Sequence, residues 1–79
     1  MSDILVSEFQ KNGKERVRVS LTEFGGHRLI DLRAYYQDAT GEWRPGKGLT
    51  LRRELLPHLK RALLAAERIA KAEGKPEAP

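Results

Sequence analysis

The hydrophobic residues of this chain repeat with two different periods, and the change of period divides its 79 residues into two parts. From about Ile4 to Leu51 apolar and polar residues alternate, which is typical of strands with one buried face. From about Arg53 to Ala72 apolar residues recur every three or four positions, which predicts one amphipathic helix. Segment 73–79 is polar and contains two prolines, a composition typical of disorder. We therefore predict one domain over 1–72 followed by a disordered tail over 73–79.

The first two predicted strands lie on either side of Asn12-Gly13, a pair of residues favoured in hairpin turns. Alternation in the second strand places arginines on one face and aliphatic residues on the other. A face that carries arginines is exposed either to water or to an anion. Regular alternation opposes Ile4, Val6 and Glu8 to Leu5, Ser7 and Phe9 in the first strand, and Val17, Val19 and Leu21 to Arg16, Arg18 and Ser20 in the second.

Two more strands are predicted after the break at Gly25-Gly26, with a second hairpin turn at 38–42 between them. Proline donates no hydrogen bond to a sheet ladder, so Pro45 predicts that the last strand lies at an edge or contains a bulge. Four strands with hairpin connections give an antiparallel meander. The fold class is therefore α+β, a four-stranded antiparallel sheet followed by one C-terminal helix. Pro57 is tolerated in the first turn of a helix, which predicts a helix start near Leu55 or Leu56.

The helix is expected to cover the sheet face that carries Val17, Val19 and Leu21. The opposite face, with its arginines and aromatic residues, is then left open for binding. In the third strand, alternation places Ile30, Leu32, Ala34 and Tyr36 on one face and Leu29, Asp31, Arg33 and Tyr35 on the other.

Size and composition restrict what such a domain does. A chain this small buries only about 60% of its unfolded surface, and small domains gain stability from disulfides, metals or a partner subunit. The sequence contains no cysteine, so self-association is the expected source of stability. It contains neither a signal-peptide pattern nor an apolar run of about 18 residues, which predicts no membrane contact and an intracellular location, in the cytoplasm and nucleoid or in the nucleus depending on the host.

Catalysis has little support in this sequence. The two histidines, His27 and His58, are far apart, and no paired carboxylates, metal-ligand spacing or nucleophile motif is present. Gly46-Lys47-Gly48 resembles a fragment of a phosphate-binding loop, but the preceding glycine and the following Ser or Thr of that motif are missing. We predict a protein that is not an enzyme and that uses neither a cofactor nor a metal.

Nucleic-acid binding is better supported, because basic and aromatic residues are interspersed in the strand region. The chain has a formal net charge of +4, and four of its five aromatic residues lie between positions 24 and 43. Single strands are held by basic grooves that follow the phosphates and by aromatic rings on which bases stack. The ordinary alternative is a solvated or ion-paired arginine and an aromatic residue that fills the core. The candidate binding residues are Lys14, Arg16, Arg18, Phe24, His27, Arg28, Arg33, Tyr35, Tyr36, Trp43, Arg44 and Lys47.

One stretch of the sequence resembles a known family. Phe24, the segment Leu29-Ile30-Asp31-Leu32-Arg33, the pair Tyr35-Tyr36, then Asp38, Gly41-Glu42 and Pro45-Gly46-Lys47-Gly48 together resemble the C-terminal domain of the transcriptional coactivator PC4, also called p15. The resemblance extends from about Val17 to Leu63. It implies a curved sheet backed by one helix, paired into a homodimer whose grooves hold single-stranded DNA with little sequence preference.

The resemblance also implies roles for particular residues. Phe24 and Tyr36 match aromatic residues that stack on bases, with Tyr36 in place of a tryptophan. Arg33 matches a basic strand residue that contacts DNA, and Arg44 and Lys47 match basic residues of the following hairpin. The resemblance therefore implies binding of single-stranded DNA in transcription, replication or repair.

This sequence also departs from the family pattern. The turn after Phe24 usually carries two lysines, and here Gly25 and His27 occupy those positions, with Arg28 as partial compensation. Trp43 replaces a non-aromatic residue and is expected to be exposed as an additional stacking surface. Fewer ionic contacts predict a shallower salt dependence. Alternative partners are RNA, melted duplex DNA and acidic proteins of the transcription machinery.

Overall fold

Four strands form one antiparallel sheet in the order β1-β2-β3-β4, and a helix follows them. The computed structural model describes residues 3–73. The predicted tail, except Glu73, lies outside the described residues, and the division of the chain at position 72 stays a prediction. The strands are β1 (Ile4–Gln10), β2 (Glu15–Phe24), β3 (His27–Gln37) and β4 (Trp43–Arg52), followed by a 3-10 turn (Arg53–Leu55) and helix α1 (Leu56–Ala72).

The tightest connection joins β2 to β3 through two glycines. Phe24 pairs with His27, so only Gly25 and Gly26 lie between the strands. Their φ angles are +58° and +80°. Positive φ at both central residues is the type I′ geometry that matches the twist of a hairpin. The break predicted at these glycines is confirmed as a turn.

The predicted alternation is wrong in β1, because the pairing with β2 shifts between Leu5 and Ser7. Ile4 pairs with Leu21, whereas Glu8 pairs with Arg18. One extra residue in a strand reverses the face of every residue beyond it. Glu8 therefore lies on the face of the arginines instead of the face of Ile4.

The prediction for Pro45 is confirmed on both counts. β4 is an edge strand of the sheet, and its pairing with β3 shifts between Arg33 and Tyr35. The shift accommodates the segment around Gly46 and Gly48, where the backbones approach closely. A Cβ atom on Gly48 would lie 2.6 Å from the carbonyl oxygen of Leu32.

The helix starts as predicted but does not cover the sheet. Pro57 lies in the first turn of α1, where its missing N–H costs no hydrogen bond. Ile30 is the only buried hydrophobic residue in the described part of the chain, and α1 contributes none. The expectation of a covered face is wrong because α1 lines one side of an open groove. No helix in residues 3–73 has the length and apolar character needed to cross a membrane.

The sheet has two chemically different faces. The register of β2, β3 and β4 places paired residues on the same side of the sheet. We call one side the apolar face; it comprises Val17, Val19, Leu21, Ile30, Leu32, Ala34, Leu49 and Leu51. We call the other the polar face; it comprises Arg16, Arg18, Ser20, Thr22, Leu29, Asp31, Arg33, Tyr35, Trp43 and Thr50.

Candidate nucleic-acid interface

Two arginines of β2 stack on aromatic rings across the polar face. The guanidinium carbon of Arg18 lies 4.4 Å from the ring centre of Tyr35, and that of Arg16 lies 4.9 Å from the ring centre of Trp43. A guanidinium at this distance is attracted by the face of the ring. The rings therefore hold the arginines against the sheet, with their nitrogens available to an anion. Trp43 is half-buried, so it is less exposed than the sequence predicts.

Glu8 joins these two arginines from β1. Its carboxylate accepts hydrogen bonds from Nε of Arg18 at 2.6 Å and from Nη1 of Arg16 at 3.0 Å. The hydrogen bond from Arg18 lowers the pKa of the Glu8 carboxyl, and the positive charge of both arginines adds to this effect. Glu8 therefore stays ionised at neutral pH and partly neutralises the pair.

Arg33 is bound within the sheet rather than extended toward solvent. Its guanidinium donates to both oxygens of Asp31, at 2.8 and 3.1 Å, and to the carbonyl oxygen of Gly46 at 2.9 Å. Thr50 donates to the same Asp31 carboxylate at 2.8 Å. Burial raises the pKa of Asp31, but the hydrogen bonds from Arg33 and Thr50 outweigh it, so the pKa is lowered. This network ties β3 to β4 at the bulge.

Asp38 organises the turn between β3 and β4. Its carboxylate accepts hydrogen bonds from the hydroxyl and amide of Thr40, from the amide of Glu42 and from Nε of Arg44. The hydroxyl of Thr40 and the guanidinium of Arg44 are the main reasons that the pKa of Asp38 falls to about 2. Arg44 also pairs with Glu42 at 3.3 Å, whereas Lys47 is exposed on β4.

Phe24 projects from the tip of the β2–β3 hairpin, with 75% of its surface exposed. A depression of about 570 Å³ lies beside it on the polar face. His27 and Arg28 are exposed next to the ring, and Arg28 lies 3.9 Å from the carboxylate of Glu23. The depression is lined by Asp3, Thr22, Glu23, Phe24, Leu29 and Thr50.

Tyr36 does not share a face with Arg33 and Tyr35. It pairs with Glu15 and Arg44, and alternation places it in the row of Ala34 on the apolar side. Tyr36 as a whole is 45% exposed at the end of the sheet. The alternation predicted for β3, which places Tyr36 and Arg33 on opposite faces, is therefore confirmed, and neither residue lines the groove beside the helix.

The structure thus groups the predicted site residues by position along β2. Within residues 3–73, no cluster of side chains suits a metal ion. Sequence reasoning missed Glu8, because the β1 bulge reversed its face, and Thr22, Leu29 and Thr50, because the depression depends on strand pairing. The three groups are Phe24, His27 and Arg28 at the hairpin tip; Arg18 and Arg33 in the middle, near Lys47 on the edge; and Lys14, Arg16, Tyr35, Tyr36, Trp43 and Arg44 at the opposite end.

Comparison with known proteins supports a relationship over most of the chain. The family model described as Transcriptional Coactivator p15 (PC4) matches residues 6–62. The structure is similar to that of a PC4 homolog from Burkholderia pseudomallei in its orthorhombic crystal form, with a TM-score of 0.76 and 32% identity, covering 85% of this chain and 92% of that one. The tetragonal form of that homolog gives a TM-score of 0.76 and 31% identity, with 84% and 98% covered.

A bacteriophage T5 homolog of the eukaryotic transcription coactivator PC4, implicated in recombination-dependent DNA replication, is also similar. Its TM-score is 0.58 at 23% identity, with 92% of this chain and 80% of that one covered. At this level of identity the likeness shows the fold alone. The predicted fold class, a four-stranded antiparallel sheet followed by a C-terminal helix, is confirmed.

Proposed function

Since the chain belongs to the family of the transcriptional coactivator p15 (PC4), we propose that it binds single-stranded DNA without sequence preference, as a homodimer inside the cell. Membership of this family gives it a PC4-like nucleic-acid-binding role, and the family is one of non-enzymatic DNA-binding and coactivator proteins. The preference for single strands, the dimer and a role in transcription, replication or repair belong to our proposal.

The observation that carries the proposal is the pairing of arginines with aromatic rings on the polar face. Arg16 and Arg18 lie two residues apart on β2, with Arg18 over the ring of Tyr35 on β3 and Arg16 over the ring of Trp43 on β4. Guanidinium groups held in this way offer several N–H donors to phosphate oxygens. Their alignment along β2 supports a path for the phosphates of one strand.

The depression at Phe24 supports base stacking at the hairpin tip. An exposed phenyl ring beside a depression with an apolar floor at Leu29 suits the flat face of an unpaired base. The hydroxyls of Thr22 and Thr50 border the same space. A base in a duplex is already stacked on both sides, so this geometry favours unpaired strands.

The apolar face supports a homodimer. A groove of about 460 Å³ separates the sheet from α1, and Leu63 and Leu64 are more than half exposed beside it. The occupant we propose is a second copy of this chain, because a chain of this size with one buried hydrophobic residue in its described part lacks a sufficient core. The groove is lined by Val19, Ile30, Leu32, Leu56, Leu59, Lys60, Leu63 and Leu64.

Fluorescence anisotropy with labelled oligo-dT tests the proposed ligand. The titration is repeated with duplex of the same length and with oligo-U, at two salt concentrations, while light scattering measures the mass of the protein. We expect a dimer that binds oligo-dT more tightly than duplex and loses affinity as salt rises. Equal or tighter binding of duplex than of oligo-dT contradicts the proposal. Tighter binding of oligo-U than of oligo-dT would show that the preferred ligand is RNA.

A matched pair of aromatic variants tests the proposed face. Phe24→Ala is expected to weaken oligo-dT binding by about 1–3 kcal/mol, the usual value of one stacked base. Phe9→Ala is the control, since Phe9 is an exposed phenylalanine that pairs with Val17 on the apolar face. Equal losses in the two variants would show that the effect does not come from the polar face.

A further inference from the structure

Glu8 binds both arginines of the proposed phosphate path along β2. Its two carboxylate oxygens are each taken by a different arginine, Oε1 by Arg18 and Oε2 by Arg16. This position exists because the bulge in β1 turns Glu8 onto the polar face. A regular strand would direct the carboxylate to the other side of the sheet.

A carboxylate and a phosphodiester compete for the same donors. Both are anions whose oxygens accept the forked N–H groups of arginine. The guanidinium carbons of Arg18 and Arg16 lie 4.4 and 4.9 Å from the ring centres of Tyr35 and Trp43, so both groups are held on the polar face beside Glu8. A phosphate that uses Nε of Arg18 must displace the carboxylate.

Glu8 is also placed so that it can leave. It belongs to an edge strand, and its side chain is 28% exposed while it is paired with the arginines. The arginines are anchored independently by the rings, and Arg18 also lies in the β2–β3 pairing, opposite Arg33. Loss of the carboxylate therefore leaves the arginines in place.

We infer that Glu8 is an intramolecular competitor for nucleic-acid phosphate at the Arg16–Arg18 pair, and that it limits the affinity of the polar face for single strands. This inference rests on the proposed function. Binding exchanges one anion for another. The phosphate accepts the hydrogen bonds of the two arginines, and the Glu8 side chain rotates out into solvent. The released carboxylate attracts cations, which offsets part of the counterion release that accompanies binding. Glu8 therefore weakens the dependence of affinity on salt concentration.

The test compares Glu8→Gln with Glu67→Gln in the full chain. Glu67 is exposed on α1, so the two variants make the same change in net charge at different places. Anisotropy titrations with oligo-dT over a range of salt are expected to show Glu8→Gln binding roughly two- to fivefold more tightly than wild type, the scale of one exposed ion pair. Its salt slope is expected to be steeper, by up to about 0.7. Glu67→Gln is expected to match wild type.

The outcomes separate the inference from the proposed function. Wild type that fails to bind oligo-dT contradicts the proposed function itself. Equal affinity of wild type and Glu8→Gln, or weaker binding by the variant, overturns only the role of Glu8. Thermal unfolding of the variant checks that β1 remains paired.

A measurement on the unaltered chain covers the case in which Glu8→Gln does not fold. The NMR signal of the Glu8 carboxyl carbon is followed while oligo-dT is added. Displacement predicts a shift toward the signal of a solvated glutamate at saturation. An unchanged signal in a chain that has bound oligo-dT overturns the inference.

Discussion

The two faces of the sheet are built from the same strands, yet they differ in how complete they are. On the polar face, Arg16, Arg18 and Arg33 each have a carboxylate partner within the chain. On the apolar face, Ile30 is buried but Leu49 is 51% exposed, and the groove beside α1 is open. Within residues 3–73, the arginines of the polar face are paired with carboxylates of the same chain, whereas part of the apolar face stays exposed.

This difference assigns the two faces to different kinds of partner. Apolar surface is stabilised when it leaves water, at about 25 cal/mol per Å², so the apolar face gains most from another apolar surface. The polar face gains little from that, because its paired charges would lose hydration. It gains from an anion that replaces one already present. The comparison predicts that apolar-face variants change mass and stability, whereas polar-face variants change binding.

The largest effect is expected from a charge placed in the groove. Leu63→Lys removes a leucine that lines the groove and puts an ammonium group at the proposed dimer contact. We expect a loss of about 2–5 kcal/mol in stability, the scale of a truncated core leucine, together with a monomeric or unfolded chain by light scattering.

The matched control for the groove is Ile69→Lys. Ile69 is 61% exposed and lies about 120° around the helix from Leu63, since each residue turns an α-helix by about 100°. The Ile69→Lys variant should keep the mass and melting temperature of wild type. A dimeric, stable Leu63→Lys protein would break the assignment of the apolar face.

The next effect concerns the bulge that holds β4 against β3. In Gly48→Ala the new methyl group meets backbone atoms, at 2.6 Å from the oxygen of Leu32 and 2.9 Å from the Cα of Arg33. Backbone cannot rotate away, so we expect a loss of about 1–3 kcal/mol in the free energy of unfolding. Gly13→Ala is the control, because its methyl group meets nothing within 4 Å. Chemical denaturation measures both, and equal stability of the two variants would contradict this packing.

A binding effect with little change in stability is expected for Arg18→Ala. The variant removes a guanidinium that is 27% exposed and stacked on Tyr35. Loss of one phosphate contact should weaken oligo-dT binding and flatten the salt slope by about 0.7. The slope of log affinity against log salt is the measurement. A slope equal to that of wild type would show that Arg18 contacts no phosphate.

The smallest effect is a pH dependence of stability from Asp38. Its pKa is about 2 in the folded chain and higher in the unfolded chain, so the unfolded state binds the proton first. Its stabilisation is complete above the unfolded pKa of about 4 and is lost as pH falls toward 2. Thermal unfolding between pH 6 and 2 should therefore show a smaller drop for Asp38→Asn than for wild type. If the melting temperatures of the two proteins fall in parallel with pH, Asp38 does not contribute to acid destabilisation.

Much of the fold follows from the period of the hydrophobic residues. The strand and helix regions, the Gly25-Gly26 turn and the first-turn position of Pro57 depend on local chemistry, and the sequence predicts them. The face of Glu8 depends on a bulge, which regular alternation cannot reveal. The side of Tyr36 does follow from alternation, which places it with Ile30 and Leu32 and opposite Arg33.

The side-chain contacts of the site could be predicted from the sequence less completely than the fold. The partners of Arg16 and Arg33 follow from the register of β1 with β2 and from the bulge opposite β4, both of which are set by three-dimensional pairing. Helix coverage was overestimated for a related reason. An apolar stripe on a helix shows that it needs a partner, but not whether that partner lies in the same chain.

Methyl NMR during titration with oligo-dT tests the central claim most directly, since methyl groups mark both faces of one sheet. Thr22, Leu29 and Thr50 report on the polar face, and Val19 and Leu32 report on the apolar face. Ring currents of bound bases are expected to shift the first three signals and to leave the other two unchanged. Shifts confined to Val19 and Leu32 would contradict it.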